Sequence, residues 1–246
     1  MDAAPAPFTE LAGQFAIELP GARAVFTSRR GGVSRGPYAS LNLGFATDDE
    51  PGAQDANRQR VRELTGAPDA AWPYQVHGRE VGLVDDRAAL DARPRRDGHV
   101  TRLPGIALGA LGADCLTVAI AGGSAVAMVH AGWRGLAAGA LAAGVDAVRG
   151  LAEPAGARLE AAIGPGAGGC CYEVGPEVHA AFADHPGARA GDNLDLATVA
   201  RAQLTAAGAA QVHDLGLCTI CHPSLFFSHR RDRGVTGRQA GIAWLT

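Results

Sequence analysis

The segment Gly112–Gly135, GADCLTVAIAGGSAVAMVHAGWRG, constrains the chain most: it is apolar enough to demand burial, yet its apolar runs fall short of the ~20 residues that span a bilayer. Leu116 to Ile120 and Ala125 to Val129 read as two short strands joined at Gly122-Gly123, a two-residue hairpin signal. With those glycines at the centre of the turn, Cys115 lies directly opposite His130. Opposed residues of an antiparallel pair carry Cβ atoms ~4.5 to 5.5 Å apart on one face, so the thiol and the imidazole can share a metal ion or a proton. The same pattern also suits a small buried thiol beside a hydrogen-bonded histidine at a strand end.

A chain of 246 residues, 47% of them hydrophobic, can bury a sizeable core. No internal repeat and no Pro/Ser-rich linker divides it, which predicts one domain over residues 22–246 after an N-terminal extension, 1–21. The formal charge of -3 gives no reason to expect nucleic acid or an anionic membrane as partner. MDAAPAPFTE carries neither the basic nor the apolar region of a secretion signal, so a cytoplasmic location is expected. Five cysteines, an odd number, then argue for reduced thiols rather than a disulfide framework.

Along the chain, Ala22 to Thr27 reads as a strand leading into the polar glycine loop SRRGGVSRGPYASLNLG. Asp48 to Gly66 fits an amphipathic helix with its acidic residues first. Trp72 to Val84 alternates as a strand interrupted at His77-Gly78, and Ile106 to Leu111 is a further strand. After His130, the residues Gly132-Trp133-Arg134-Gly135 turn the chain into a helix expected to run to about Arg149. Arg158 to Ile163 reads as a strand, Pro176 suits the first turn of a helix reaching Asp184, and Leu194 to Ala207 fits another. Strands near Val212 to Leu215 and Ala240 to Leu245 end the series. Hairpins mixed with helices predict an α+β fold with mixed sheets rather than a doubly wound parallel sheet.

Six ordered motifs, TSRRGGVS with YASLNLG, YQVHG, GADCLTV, VHAGWRG, IGPG with CYEVG, and FFSHRRD with TGRQAGIAWL, resemble the YfiH or laccase-domain family from Val25 to Leu245. Members of that family have been called polyphenol oxidases, purine nucleoside phosphorylases and peptidoglycan editing factors. The resemblance implies a four-layered α/β/β/α fold with a mixed β-sandwich and a metal held by two histidines and a cysteine. Those ligands fall by motif on His77, Cys115 and His130, which are also the implied catalytic residues. Two imidazoles and a thiolate suit Zn²⁺ and leave a fourth position open; copper suits the same donors. One three-ligand site lacks the several copper centres of a multicopper oxidase, so nucleoside chemistry ranks above phenol oxidation.

The implied activity is phosphorolysis of adenosine, inosine, guanosine and methylthioadenosine, with adenosine deamination. Purine nucleosides and phosphate are then the partners. Arg134 at the start of the Trp133 helix is a candidate phosphate residue, with Arg29 and Asn42 in the glycine loop. Asp114 is a candidate proton donor or support for Cys115, although strand alternation turns it to the other face. Competing readings are a copper polyphenol oxidase, a cysteine hydrolase with Cys115 as nucleophile and His130 as base, and a peptidoglycan-precursor editing factor. Cys218-Thr219-Ile220-Cys221-His222 spells the haem attachment pattern CxxCH, but without an export signal no haem is expected. IGPGAGGCC matches no nucleotide fingerprint, so no nucleotide cofactor is expected. Adjacent Cys170-Cys171 is poorly spaced for CxxC chelation, and Cys170, Cys171, Cys218 and Cys221 read as spare thiols. His99, His179, His185 and His213 read as surface or cap residues.

Overall fold

A computed structural model describes residues 4–246. From the N-terminus the chain forms β1 (Thr9–Leu11), β2 (Gln14–Leu19), β3 (Ala22–Phe26), α1 (Ala53–Thr65), β4 (Ala70–Ala71), β5 (Val81–Leu83), β6 (Gly98–Thr101) and β7 (Ala107–Gly112). The hairpin β8 (Leu116–Gly122) and β9 (Ala125–Ala131) follows, then α2 (Trp133–Ala137), α3 (Ala140–Leu151), β10 (Glu160–Ile163) and α4 (Pro176–Ala181). The chain continues through β11 (Arg189–Ala190), β12 (Asn193–Leu194), α5 (Leu196–Ala206), β13 (Gln211–Asp214) and β14 (Gln239–Leu245).

Two mixed six-stranded sheets, ordered β1-β2-β3-β14-β7-β4 and β13-β10-β8-β9-β6-β5, pack face to face. Every residue of β8 and β9 is buried, because both faces of these central strands are covered. Ala119, Ala121, Val126 and Met128 face the first sheet among Phe26, Leu108 and Ala243. Val118, Ile120, Ala127 and Val129 point the other way, onto α3 and α5 through Leu141, Val145 and Val199. On the outer face of the first sheet, Val61 of α1 joins Val25, Trp72 and Ile242. The result is the expected α/β/β/α layering. Among the described residues no helix is long and apolar enough to cross a membrane.

The hairpin register differs from the expected one. Leu116 pairs with Ala131, Thr117 with His130 and Gly122 with Ala125, so the turn is Gly123-Ser124 and Cys115 stands two residues out of register with His130. Gly122 is glycine for another reason: a Cβ there would meet Leu159 Cδ2 at 2.3 Å and the Arg158 carbonyl at 2.7 Å. Gly123 supplies the positive φ, 57°, that the turn requires. A two-residue slip preserves the side-chain face, so Cys115 and His130 keep to the same side of the sheet.

Three further expectations change. The Trp133 helix breaks at Ala138-Gly139, where Gly139 takes φ 87°, leaving α2 only five residues long. Of the strand expected over 72–84 with an interruption at His77-Gly78, only β5, Val81–Leu83, forms; β4 ends at Ala71, and the loop between them carries His77. The stretch before Ala22, expected as an extension, contributes β1 and β2 to the first sheet, where Ile17 and Leu19 are buried.

Candidate metal centre and substrate cleft

His77 occupies the β4–β5 loop with a φ of 60°, a left-handed conformation uncommon for a residue with a Cβ. The carboxylate of Asp97, just before β6 and 1% exposed, accepts hydrogen bonds from the His77 backbone N–H at 2.8 Å, Gly78 N–H at 2.6 Å and Val76 N–H at 3.3 Å. The same carboxylate accepts from His130 Nδ1 at 2.8 Å, while the His130 backbone N–H donates to the Asp97 carbonyl at 2.7 Å. One buried acid therefore orients two histidines from different elements. Their rings meet edge to face with centroids 4.8 Å apart. Cys115 arrives from the bend before β8, and the ligand atoms of His77, Cys115 and His130 all lie within 4.8 Å of one another.

This donor set fits a single soft or borderline divalent ion. With Nδ1–H committed to Asp97, His130 presents Nε2 to the cysteine, the arrangement in which a carboxylate fixes the tautomer of a metal-binding histidine. Gly132 is part of the cradle, since a Cβ there would lie 2.8 Å from Cys115 Sγ and 3.3 Å from His77 Cδ2. Three protein donors with a cleft in front leave a coordination position for a substrate or water, as in catalytic zinc sites.

The electrostatics match. Burial opposes ionisation of the Cys115 thiol, but hydrogen bonds and charge from His130 and His77 outweigh it and bring the thiol down to about 6. Burial likewise disfavours a charged His130, yet the Asp97 and Cys115 contacts raise it to about 9. Burial pushes Asp97 up, but the hydrogen bonds from His130 and Gly78 hold it below the usual carboxylate range. Before metal binds, the pair at neutral pH is thus a thiolate facing an imidazolium. Metal requires the thiolate and a neutral imidazole. Uptake between about pH 6 and 9 is therefore expected to release about one proton per ion, from His130. Below about pH 6 the thiol must also deprotonate, so the release rises above one and affinity falls more steeply. Calorimetry at pH 7.5 in buffers of different ionisation enthalpy checks the count; no release at that pH would contradict the pairing.

The trio opens into a cleft of about 500 Å³. Arg134, Arg230, Arg238 and Arg93 line it with Tyr172 and His229. Arg134 stacks on Trp133 at 4.3 Å, and Arg230 lies 5.0 Å over Tyr172 while donating to the Glu173 carbonyl at 2.6 Å. Arg238 donates to the carbonyls of Thr236 and Gly237, both at 2.9 Å. Burial and the nearby Cys115 charge hold the Tyr172 phenol above its ordinary range, hence protonated. A larger hollow of about 880 Å³ beside α1 is lined by neither cysteine nor histidine.

Among the sequence candidates, Arg134 and Asp114 line the cleft with the trio, whereas Arg29 and Asn42 do not. The Arg29 side chain donates to the Ala39 carbonyl at 2.7 Å and the Pro223 carbonyl at 3.0 Å and stacks 4.5 Å from Phe227, bracing the glycine loop. Asn42 is fully buried: it donates to Thr47 and Asp49, each at 2.9 Å, and accepts from Gly44 N–H at 3.0 Å and Arg238 N–H at 2.9 Å. It shapes the wall from behind. Asp114 takes φ 96° and accepts Thr219 Oγ1 on one oxygen and Arg230 N–H on the other, both at 2.7 Å, so its carboxylate positions the Arg230 loop. The short α2 removes the helix-terminus argument for Arg134, whose side chain lines the cleft stacked on Trp133. Sequence reading missed Asp97, Tyr172 and Arg238 as site residues; it left Arg230 and Arg231 open between pocket and sheet edge, and of the two Arg230 lines the cleft. It also placed His99 at the surface, whereas His99 is 1% exposed and burial lowers it to about 4, keeping it neutral.

Residues 23–246 match the family model described as multi-copper polyphenol oxidoreductase laccase. The chain is 42% identical to a purine nucleoside phosphorylase of Xylella fastidiosa over 247 aligned residues, covering 92% of this chain and 93% of that one. It is 38% identical to the purine nucleoside phosphorylase YfiH of Escherichia coli, covering 92% and 94%. Among solved structures, YfiH of Bacillus licheniformis superimposes with a TM-score of 0.88 at 33% identity, covering 98% of this chain and all of that one. Matched nearly end to end in both sequence and fold, the chain belongs to the YfiH, or laccase-domain, family.

Proposed function

We propose that the protein is a metal-dependent purine nucleoside phosphorylase that also deaminates adenosine, working in the cleft in front of His77, Cys115 and His130. The observation that carries this reading is the juxtaposition of a two-histidine, one-cysteine donor set with an arginine-lined cleft. The relatives' names point to the same substrates. A zinc or copper ion held by the trio supplies Lewis-acid polarisation of a substrate oxygen or of water. The chain's own residues supply the rest. Arg134, stacked on Trp133, and Arg230, stacked on Tyr172, are preset guanidinium donors that bind phosphate. Phosphorolysis joins a phosphate oxygen to the ribose C1′ while the bond to the purine nitrogen breaks and its electrons leave with the base. The protonated Tyr172 phenol is the group that gives the departing base its proton. Asp97 holds the His130 ring and the His77 loop in place throughout.

Products formed from adenosine, separated by chromatography, test the proposal. Adenine and ribose 1-phosphate appear only with phosphate present, and inosine appears without it. Absence of all three products overturns the reading. Arg134→Met is expected to raise the KM for phosphate by about ten- to a hundredfold, the size of one charged hydrogen bond, with less effect on inosine formation.

The thiolate–imidazolium pair also favours a second reading, a cysteine hydrolase with Cys115 as nucleophile and His130 as base. His77 separates the two. A nucleophilic dyad keeps its activity when chelators strip the protein and tolerates His77→Ala, whereas the phosphorylase loses both metal and turnover.

A further inference from the structure

Away from the cleft, Cys170 and Cys171 meet Cys218 and Cys221, which lie some fifty residues further along the chain. Four of the sulfur pairs are in contact: 170–171 at 3.6 Å, and 170–221, 171–218 and 171–221 at 3.4 Å. All four sulfurs lie within 4.8 Å of one another. The spacing objection raised against adjacent cysteines is met across the chain: CxxC supplies one pair and the vicinal cysteines the other. We propose that Cys170, Cys171, Cys218 and Cys221 bind a single zinc ion, a structural site separate from His77, Cys115 and His130.

Tetrahedral zinc with Zn–S bonds of ~2.3 Å places its sulfurs ~3.8 Å apart, close to the spacing here. Iron–sulfur clusters attach cysteines to different irons and spread the sulfurs further, so the compact quartet suits one ion. The surroundings are built for it. Gly168 N–H donates to Cys218 Sγ at 3.3 Å, and a Cβ on Gly168 would meet Cys218 Cβ at 3.2 Å and Cys170 Sγ at 3.3 Å. Gly166 and Cys218 form a parallel bridge in which Thr219 N–H reaches the Gly166 carbonyl at 2.9 Å. His222 is not grouped with the four sulfurs, and its Nδ1 lies 2.8 Å from the Cys218 carbonyl. Four thiolates close the coordination sphere, which marks a structural rather than a catalytic ion.

The site fastens two loops that form the cleft wall. Tyr172 follows Cys171 directly. Thr219, between Cys218 and Cys221, donates to Asp114 beside Cys115, and its carbonyl accepts Arg231 Nη1 at 2.8 Å.

Metal analysis of Cys115→Ala protein tests this without disturbing the four cysteines. It is expected to retain one zinc per chain, and its cobalt-substituted form is expected to show the intense thiolate-to-metal absorption of four Co–S bonds rather than one. In the loaded protein the four thiols resist alkylation and become reactive after chelation. Cys171→Ser/Cys221→Ser is expected to lose one zinc per chain and to melt more than about 5 °C lower. The proposal is overturned if Cys115→Ala binds no metal, if its one ion is iron, if the four thiols alkylate at free-thiol rates, or if the native mass shows two disulfides.

Discussion

Cys115→Ala protein is expected to lose about a thousandfold in phosphorolysis while keeping its fold. Losing the Lewis acid forfeits several kcal/mol of transition-state stabilisation, and each ~1.4 kcal/mol is tenfold in rate. Cys115 is the only charged sulfur donor of the trio, brought down to about 6 by the two histidines in spite of burial. Removing it leaves two imidazoles, one of which, His130, then faces Asp97 alone. The substitution costs little structurally, because Cys115 sits in the bend before β8 rather than in the strand. Steady-state rates with adenosine and phosphate, read beside circular dichroism, check this. A variant that is folded, free of metal at the trio and still within tenfold of wild type would show that the centre is not catalytic.

Asp97→Asn is the second large effect. The carboxylate accepts four hydrogen bonds, from three backbone N–H groups around His77 and from His130 Nδ1. An amide of the same shape keeps one acceptor oxygen but turns an NH₂ toward donors, and it removes the negative charge that raises His130. Metal affinity is expected to fall about 10- to 100-fold, the usual cost of losing a supporting carboxylate. The proton released on metal uptake at pH 7.5 should shrink at the same time, because His130 then titrates lower. Competition against a chelator of known affinity measures the first, and calorimetry the second. Unchanged affinity together with unchanged proton release would mean that Asp97 merely fills space.

The sequence was legible where a residue's neighbours are close along the chain. The apolar hairpin with Cys115 and His130 was visible because alternation and glycine pairs are local signals. Its register was not, since Gly122 is small to admit Leu159 of a neighbouring segment, a contact that mimics a turn signal. His77 was marked only by family resemblance; its φ of 60° is imposed by hydrogen bonds to Asp97, twenty positions away. Asp97 itself lies in the unremarkable run PRRDGHV, and nothing local distinguishes a buried acid from the solvated charges around it. The vicinal cysteines looked unsuited to chelation because their partners come from a separate loop. Arg29 and Asn42 carried a polar signal that proved architectural: the glycine loop needs internal donors and acceptors to hold its shape, and those residues supply them. The Trp133 helix was overextended because Ala-rich sequence runs through Gly139, and only the left-handed φ there breaks it.

The most direct test strips metal from the wild-type protein, returns zinc stepwise, and follows phosphate-dependent formation of adenine from adenosine, with Cys115→Ala carried through the same steps. Stripped protein should be inactive, turnover should return in proportion to metal gained at the His77, Cys115 and His130 centre, and Cys115→Ala should stay inactive at every loading. Stripped protein that turns over at the untreated rate, or recovery by Cys115→Ala, would contradict the assignment of nucleoside chemistry to this centre.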